Sequence, residues 1–362
     1  MPESLLESYG WTPFLAQRFA PLEAQGLLPG RICSQASNQL FRVVTAAGEV
    51  PTSRAGVVRD LDGEPSGPPA VGDWVGVEPV PGQDEVRLRR LLPRTSAFVR
   101  QAAGLASREQ VVAANVDTLF LLMGADTDYN LRRLERYLTL AWESGAAPVV
   151  LLNKLDLLPA AAPLLAEVAR CAPGVPIHGV SAVTGEGLEL LEPYLLPGCT
   201  VALLGSSGVG KSTLVNRLLG SARQATAGLR PGDGRGRHTT TSRELVRLPG
   251  GAILLDTPGM RELQLLGEGE GLDQTFAEIV ALAAGCRFPD CRHEDEPGCA
   301  VLEAVAAGEV PAERLAAYQK LQRELVGNEL RHSAARREEE KRMGRRMGKM
   351  IKEIKQFNPK WH

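Results

Sequence analysis

The run Gly205-Ser206-Ser207-Gly208-Val209-Gly210-Lys211-Ser212 has the spacing Gly-x4-Gly-Lys-Ser. It ends the apolar run TVALLG (200–205) and opens the helical pattern KSTLVNRLL. Glycines let backbone N–H groups turn inward around phosphate oxygens, and a following helix brings its positive end to the same place. Lys211 can reach the β and γ phosphates of a nucleotide. The Ser212 hydroxyl can ligate Mg²⁺, with Thr213 beside it in the first helical turn. A glycine-rich turn without a ligand is the bland alternative, and the strand-loop-helix context weighs against it.

Phosphates alone do not identify the base. Asn153-Lys154-Leu155-Asp156 sits at the end of the apolar run APVVLLN (147–153), where open α/β sheets bind ligands. The Asp156 carboxylate can accept hydrogen bonds from N1–H and the 2-amino group of guanine. Adenine has neither donor, so the carboxylate would be left unpaired, and sites built this way discriminate by about 10⁴ or more. Asn153 is expected to contact the purine from the other side, with the Lys154 stem lying against the ring. Ser181-Ala182, again after a strand pattern, supplies a loop whose backbone N–H faces guanine O6. GTP and GDP are therefore the expected ligands.

Asp256-Thr257-Pro258-Gly259 closes the run AILLD. Asp256 is expected to hold Mg²⁺ through water, and the Gly259 amide to sense the γ phosphate. Upstream, GLRPGDGRGRHTTTSRE (228–244) carries Thr239, Thr240 and Thr241 in a glycine- and arginine-rich setting. One of them, taken as Thr240, should close over Mg²⁺. Loops ordered by the γ phosphate and released on hydrolysis make a switch. Many GTPases carry a water-orienting glutamine just after Asp-x-x-Gly, but here that place holds Met260. Catalysis should then rest on positioning and on charge neutralisation by Mg²⁺ and Lys211.

The motifs run in an inverted order. Those at 153 and 181 come first, then the phosphate loop at 205, the threonines at 239–241 and Asp256. The usual sheet still forms if the old termini are rejoined near residues 190–200. This predicts a circularly permuted P-loop GTPase domain, α/β with a doubly wound sheet.

Farther along, Cys286-x4-Cys291-x-His293-x5-Cys299 gives three thiolates and one imidazole within 14 residues. That is a full tetrahedral set for one structural Zn²⁺, with no open position for chemistry. The segment RFPDCRHEDEPG is too polar to hold itself by apolar burial, so metal should fold it.

The elements that must position these groups are legible as patterns. Apolar runs at 117–124, 147–153, 176–181, 200–205 and 251–257 read as strands of a sheet buried on both faces. Helical stretches are expected at 130–144, 160–171 and 186–196. Ahead of them, short β-rich runs such as QLFRVVT, RAGVVRD, VGDWVGVE and EVRLRRLL predict a small β-barrel over 31–100. Phe41 and Trp74 could stack on bases there, although Trp74 reads more readily as core. The predicted layout is an N-terminal arm (1–30), the barrel (31–100), the permuted G domain (101–270), a helical zinc-binding domain (271–330) and a basic tail (331–362).

Charge agrees with a soluble protein with a basic end. The chain of 362 residues has a formal net charge of −2. Residues 331–362 hold eleven Lys/Arg against four Glu, a net of +7, which leaves −9 on the rest. Such a tail attracts RNA by counterion release. No apolar run reaches bilayer length, and MPESLLESYGW does not read as a secretory signal. A reducing cytoplasm is expected, with no membrane and no DNA partner.

These residues resemble the family of ribosome small-subunit-dependent GTPase A, the circularly permuted GTPase of bacteria. The likeness runs through VGDWV, LLPRTSAFVR, the five nucleotide motifs, RHTTT and the cysteine cluster. It implies an OB-fold barrel, a permuted G domain and a zinc-binding C-terminal domain. It also implies late maturation of the small ribosomal subunit, contact with its rRNA, and slow GTP hydrolysis stimulated by that subunit. A monomer is expected. His238 matches the family's candidate catalytic histidine and could orient the attacking water or take its proton. An exposed loop histidine is the alternative. A GTP-binding, RNA-docking module with little hydrolysis of its own is the second reading.

Overall fold

Continuous apolar runs cannot leave one face to water, and in the computed structural model they form the centre of a sheet covered on both sides. The structure describes residues 4–36, 40–53, 58–101, 109–220, 243–256, 265, 269–331, 333 and 341. His238, Thr239, Thr240, Thr241, Gly259 and Met260 lie outside the described residues, as does nearly all of the basic tail.

Contacts divide the chain into two compact units. The first comprises residues 1–99, 111–263 and 270–277, and the second residues 100–110, 264–269 and 278–362. In the first unit, strands β1 (Leu28–Gln35), β2 (Leu40–Thr45), β3 (Gly48–Ser53), β4 (Trp74–Pro79) and β5 (Val86–Leu91) pair in the order β1-β2-β3-β5-β4, and β4 closes back on β1. This is the five-stranded Greek-key barrel of an OB-fold. A two-stranded sheet, β6 (Ala97–Gln101) with β7 (Glu109–Ala114), follows.

Then come β8 (Thr118–Gly124), α2 (Leu131–Ser144), β9 (Ala147–Asn153), α3 (Ala162–Cys171), β10 (Ile177–Gly179), β11 (Thr200–Gly205), α4 (Lys211–Leu219), β12 (Arg243–Arg247) and β13 (Ile253–Asp256). Strands pair in the order β10-β9-β8-β11-β13-β12, all parallel except β12. From β8 the chain winds outward through β9 to β10, and from β11 it winds the other way. The reversal between neighbouring β8 and β11 is the switch point at which doubly wound sheets bind ligands. Phe120, Leu122, Val149, Leu151, Val201 and Leu254 pack the core around it.

Local signals set the helix ends. Asn130 caps α2 by accepting from the Arg133 amide at 2.9 Å, and Gly145 ends it at φ 81°. The expected helix at 186–196 is a 3-10 segment, Leu188–Tyr194, because Pro193 denies it an amide inside the run.

The barrel and the nucleotide-type sheet share a strand. The first half of β1 pairs with β4, while Ser34 and Gln35 pair antiparallel with Glu244 and Arg243 of β12. The arm joins them as well. Its helix α1 (Pro13–Glu23) is capped by Thr12 and buries Phe19 and Leu22. Trp11 lies 5.0 Å from Trp74, ring to ring. Trp74 is consequently 4 % exposed, and Phe41 is buried too, so neither is a platform for bases. Trp11 of the arm and the Arg31 guanidinium occupy the faces of Trp74 that a base would have met.

The short helix α5 (Glu270–Thr275) closes the first unit. In the second unit, α6 (Ala277–Ala283) is followed by a polar loop carrying the cysteine cluster, which leads into α7 (Ala300–Ala306). A longer helical stretch covers 312–331.

Candidate nucleotide and metal sites

The phosphate loop leaves β11 at Gly205 and enters α4 at Lys211. Gly208 and Gly210 take φ of +79° and +105°, which suits glycine alone. A Cβ on Gly210 would meet Asn153 Nδ2 at 2.3 Å, while nothing stands within 4 Å of one on Gly208. No side chain caps α4, so its first amides stay available to an anion. The Lys211 ammonium folds back on the carbonyls of Gly205, at 2.7 Å, and Ser206. Val209 is buried beneath the loop, whereas Ser207, Gly208, Ser212 and Thr213 are exposed. The cradle thus fits a polyphosphate, with the Ser212 hydroxyl free to meet a metal at its edge.

The residues expected from the sequence to read a base lie at the ends of neighbouring strands. Asn153 is 2 % exposed. It donates to the Val209 carbonyl at 2.8 Å and accepts from the Ala182 amide at 3.0 Å, so one carboxamide ties the phosphate loop to the loop at 181–185. Asp156 is exposed and accepts from the buried Ser181 hydroxyl at 2.5 Å, which aims its carboxylate. Lys154 adopts φ 71° and pairs with Asp126 at 2.8 Å. That ammonium holds the Asp126 carboxyl below the usual carboxylate range. Asp256 ends β13.

The loop after β8 adds residues that the sequence motifs do not include. Asp128 accepts from the Ser206 hydroxyl at 2.5 Å and pairs with Arg133 at 2.6 Å, while Asp126 holds Lys154. One loop therefore braces both the phosphate and the base motifs. The available signal was Asp126-Thr127-Asp128, two residues past the end of an apolar strand.

In the second unit, the donor atoms of Cys286, Cys291, His293 and Cys299 lie within 4.8 Å of one another. His293 turns Nδ1 inward, 3.3 Å from Cys299 Sγ and 3.6 Å from Cys286 Sγ. Three sulfurs and one nitrogen at this spacing fit a tetrahedral Zn²⁺. Burial pushes the Cys286 thiol up, but the backbone amides of Val301 and Ala300, together with hydrogen bonds to Cys299 and Cys291, leave it below its ordinary value. Glu296 clips the loop by accepting from the Arg292 and Glu294 amides at 2.8 and 2.9 Å, bonds that hold its carboxyl down to about 2. Cys299 also caps α7, its sulfur accepting from the Leu302 amide at 3.5 Å.

A family model described as RsgA GTPase matches residues 91–266. A protein of Opitutus terrae named small ribosomal subunit biogenesis GTPase RsgA is 49 % identical over 328 residues, covering 88 % of this chain and 89 % of its own. The chain belongs to the RsgA GTPase family. A Streptomyces coelicolor protein of the same name is 47 % identical over 359 residues, covering 97 % of this chain and 96 % of its own. The crystal structure of YjeQ from Thermotoga maritima superposes with a TM-score of 0.61 at 28 % identity, covering 83 % of this chain and 99 % of that one. YloQ, described as a circularly permuted GTPase, gives 0.59 at 24 % identity, over 83 % of this chain and 96 % of that one. As an RsgA GTPase the chain hydrolyses GTP, and the permuted order of its motifs is the family's architecture.

Proposed function

We propose that this RsgA-family chain is a GTP-driven switch that binds the small ribosomal subunit and acts in its late maturation. The observation that carries the guanine part is the Asn153 carboxamide, which bonds the phosphate loop and the Ser181-Ala182 loop at once, beside an Asp156 carboxylate left open to solvent. Relatives covering most of the chain are named for small-subunit biogenesis, which supports the partner.

In this reading Gly205–Thr213 hold the phosphates and Asp156 reads the base. Ser212, Thr240 and, through water, Asp256 hold Mg²⁺, which supplies charge neutralisation at the phosphates. His238 orients water from the segment carrying Thr240, and Gly259 senses the γ phosphate. Zn²⁺ held by Cys286, Cys291, His293 and Cys299 builds the fold around them rather than doing chemistry. The basic tail and exposed arginines of the barrel meet rRNA in the cytoplasm, with the protein acting as a monomer. Among the described residues no helix is long and apolar enough to cross a membrane.

Phosphate release measured with and without purified small subunits tests the proposal. Stimulation, reduced in His238→Ala, is expected. An unchanged rate would instead leave a GTP-binding docking module with little hydrolysis of its own.

A further inference from the structure

The loop 181–186 is almost fully bonded to the protein. The Ser181 amide donates to the Glu186 carbonyl at 2.9 Å, Ala182 to Asn153 Oδ1 at 3.0 Å, Thr184 to Ser181 Oγ at 3.1 Å, Gly185 to the Ser181 carbonyl at 2.8 Å and Glu186 to Thr184 Oγ1 at 3.3 Å. Among the described residues, the Val183 amide is the one in this run with no such partner. Val183 is also 66 % exposed, so no apolar burial fixes the tip.

What holds that peptide is a side chain from another element. Arg217, in the last turn of α4, donates from Nε to the Ala182 carbonyl at 3.4 Å and from a terminal nitrogen to the Val183 carbonyl. The Ala182 carbonyl and the Val183 N–H belong to one planar trans peptide, so their directions are opposed. Anchoring the carbonyl on a cation therefore fixes where the amide points. It also polarises the peptide, which strengthens that amide as a donor. Gly185 turns the loop at φ +93°, a conformation that favours glycine, with the Arg217 guanidinium at ordinary contact distance from a Cβ placed there.

We infer that Arg217 is a positioning residue for base recognition: it holds the 182–183 peptide so that the Val183 amide meets the O6 acceptor of guanine. The inference rests on the guanine reading above and adds the donor and its support. It also links the two halves of the site, because α4 begins at the phosphate loop and Arg217 lies at its other end.

The full-length protein is titrated with GDP, ADP and 6-thio-GDP, which keeps N1–H and the 2-amino group but offers sulfur, a weak acceptor, in place of O6. Wild type should prefer GDP over both. Arg217→Ala should weaken GDP by about tenfold, the scale of one charge-assisted hydrogen bond, and 6-thio-GDP by less than about twofold, since its bond at that position is already poor. Arg217→Lys, which keeps the charge and can reach one carbonyl, should fall between. Equal losses for GDP and 6-thio-GDP would overturn the inference, because Arg217 would then support only the fold. Unchanged GDP affinity would overturn it too. If wild type shows no preference for GDP over ADP, the guanine reading itself fails, a result that the Arg217 arms cannot imitate.

Discussion

Asn153 commits both ends of its amide to other loops, which makes it a structural tie whatever it contacts on a bound base. Its removal strands a buried carbonyl at Val209 and a buried amide at Ala182, each worth about 1–3 kcal/mol when left unpaired. Asn153→Ala is therefore expected to lower stability by about 2–4 kcal/mol. It should weaken guanine nucleotide binding by more than tenfold. Urea denaturation and GDP titration read the two effects, and a variant as stable as wild type would show that the bonds carry little. His178 offers a pH test at the same scale. Its Nε2 lies 2.9 Å from the Tyr194 hydroxyl, and burial holds its pKa below the ordinary 6.5. The unfolded chain thus takes up a proton more readily than the folded one. Stability should be complete above pH 6.5 and fall as pH drops from there through the folded value. His178→Phe should flatten that part of the curve in urea melts between pH 5 and 8, and identical slopes would exclude the residue as a source.

At the scale of elements, the metal loop and α7 form one device. The segment has no apolar core of its own, and its order comes from four donors, the Glu296 clip and the sulfur cap of Cys299. Cys299 caps α7 and, in the proposed reading, is also a metal ligand. Cys299→Ser should retain a cap of ordinary chemistry while giving up the third thiolate. We expect one Zn²⁺ per chain in wild type by elemental analysis, and loss of that ion from the variant on dialysis against a mild chelator, with faster proteolysis of 286–299. Retention of the ion would mean that three donors suffice.

Across the first unit, the barrel and the α/β sheet are not beads on a string. They share β1 through its pairing with β12, and Arg31 bonds the carbonyls of Tyr9, Gly72 and Asn115 from a fully buried position over Trp74. Those three carbonyls belong to the arm, the barrel and the turn that precedes β8. Burial lowers the Arg31 pKa to about 10, still well above neutrality, so the side chain stays cationic and is paid in carbonyl dipoles. Arg31→Met keeps the apolar stem but removes the guanidinium from all three carbonyls, of which Gly72 keeps the Asn115 Nδ2 donor at 3.0 Å, at a cost of about 2–5 kcal/mol. Hydrogen exchange should show β2 and β8 opening at one free energy in wild type and at different ones in the variant. Separate openings in wild type would show that the shared strand does not couple them.

Much of this was legible in the chain because nucleotide and metal motifs are local. A phosphate cradle, a guanine-reading tetrapeptide and a four-donor metal set each need only a few residues at fixed spacing, and the apolar runs beside them announce the strands that carry them. The permuted order, too, is a property of sequence. Tertiary structure alone decided who supports whom. Asp126 meets Lys154, Asp128 meets Ser206, and Arg217 meets the 182–183 peptide across gaps of 28, 78 and about 35 residues, because adjacent strand ends bring their loops together. Trp74 reads as core from its sequence and is core, but the arm that covers it is something no local pattern encodes. Short-range spacing specifies the chemistry of a site; its bracing depends on sheet order and register, which arise only when distant segments pack.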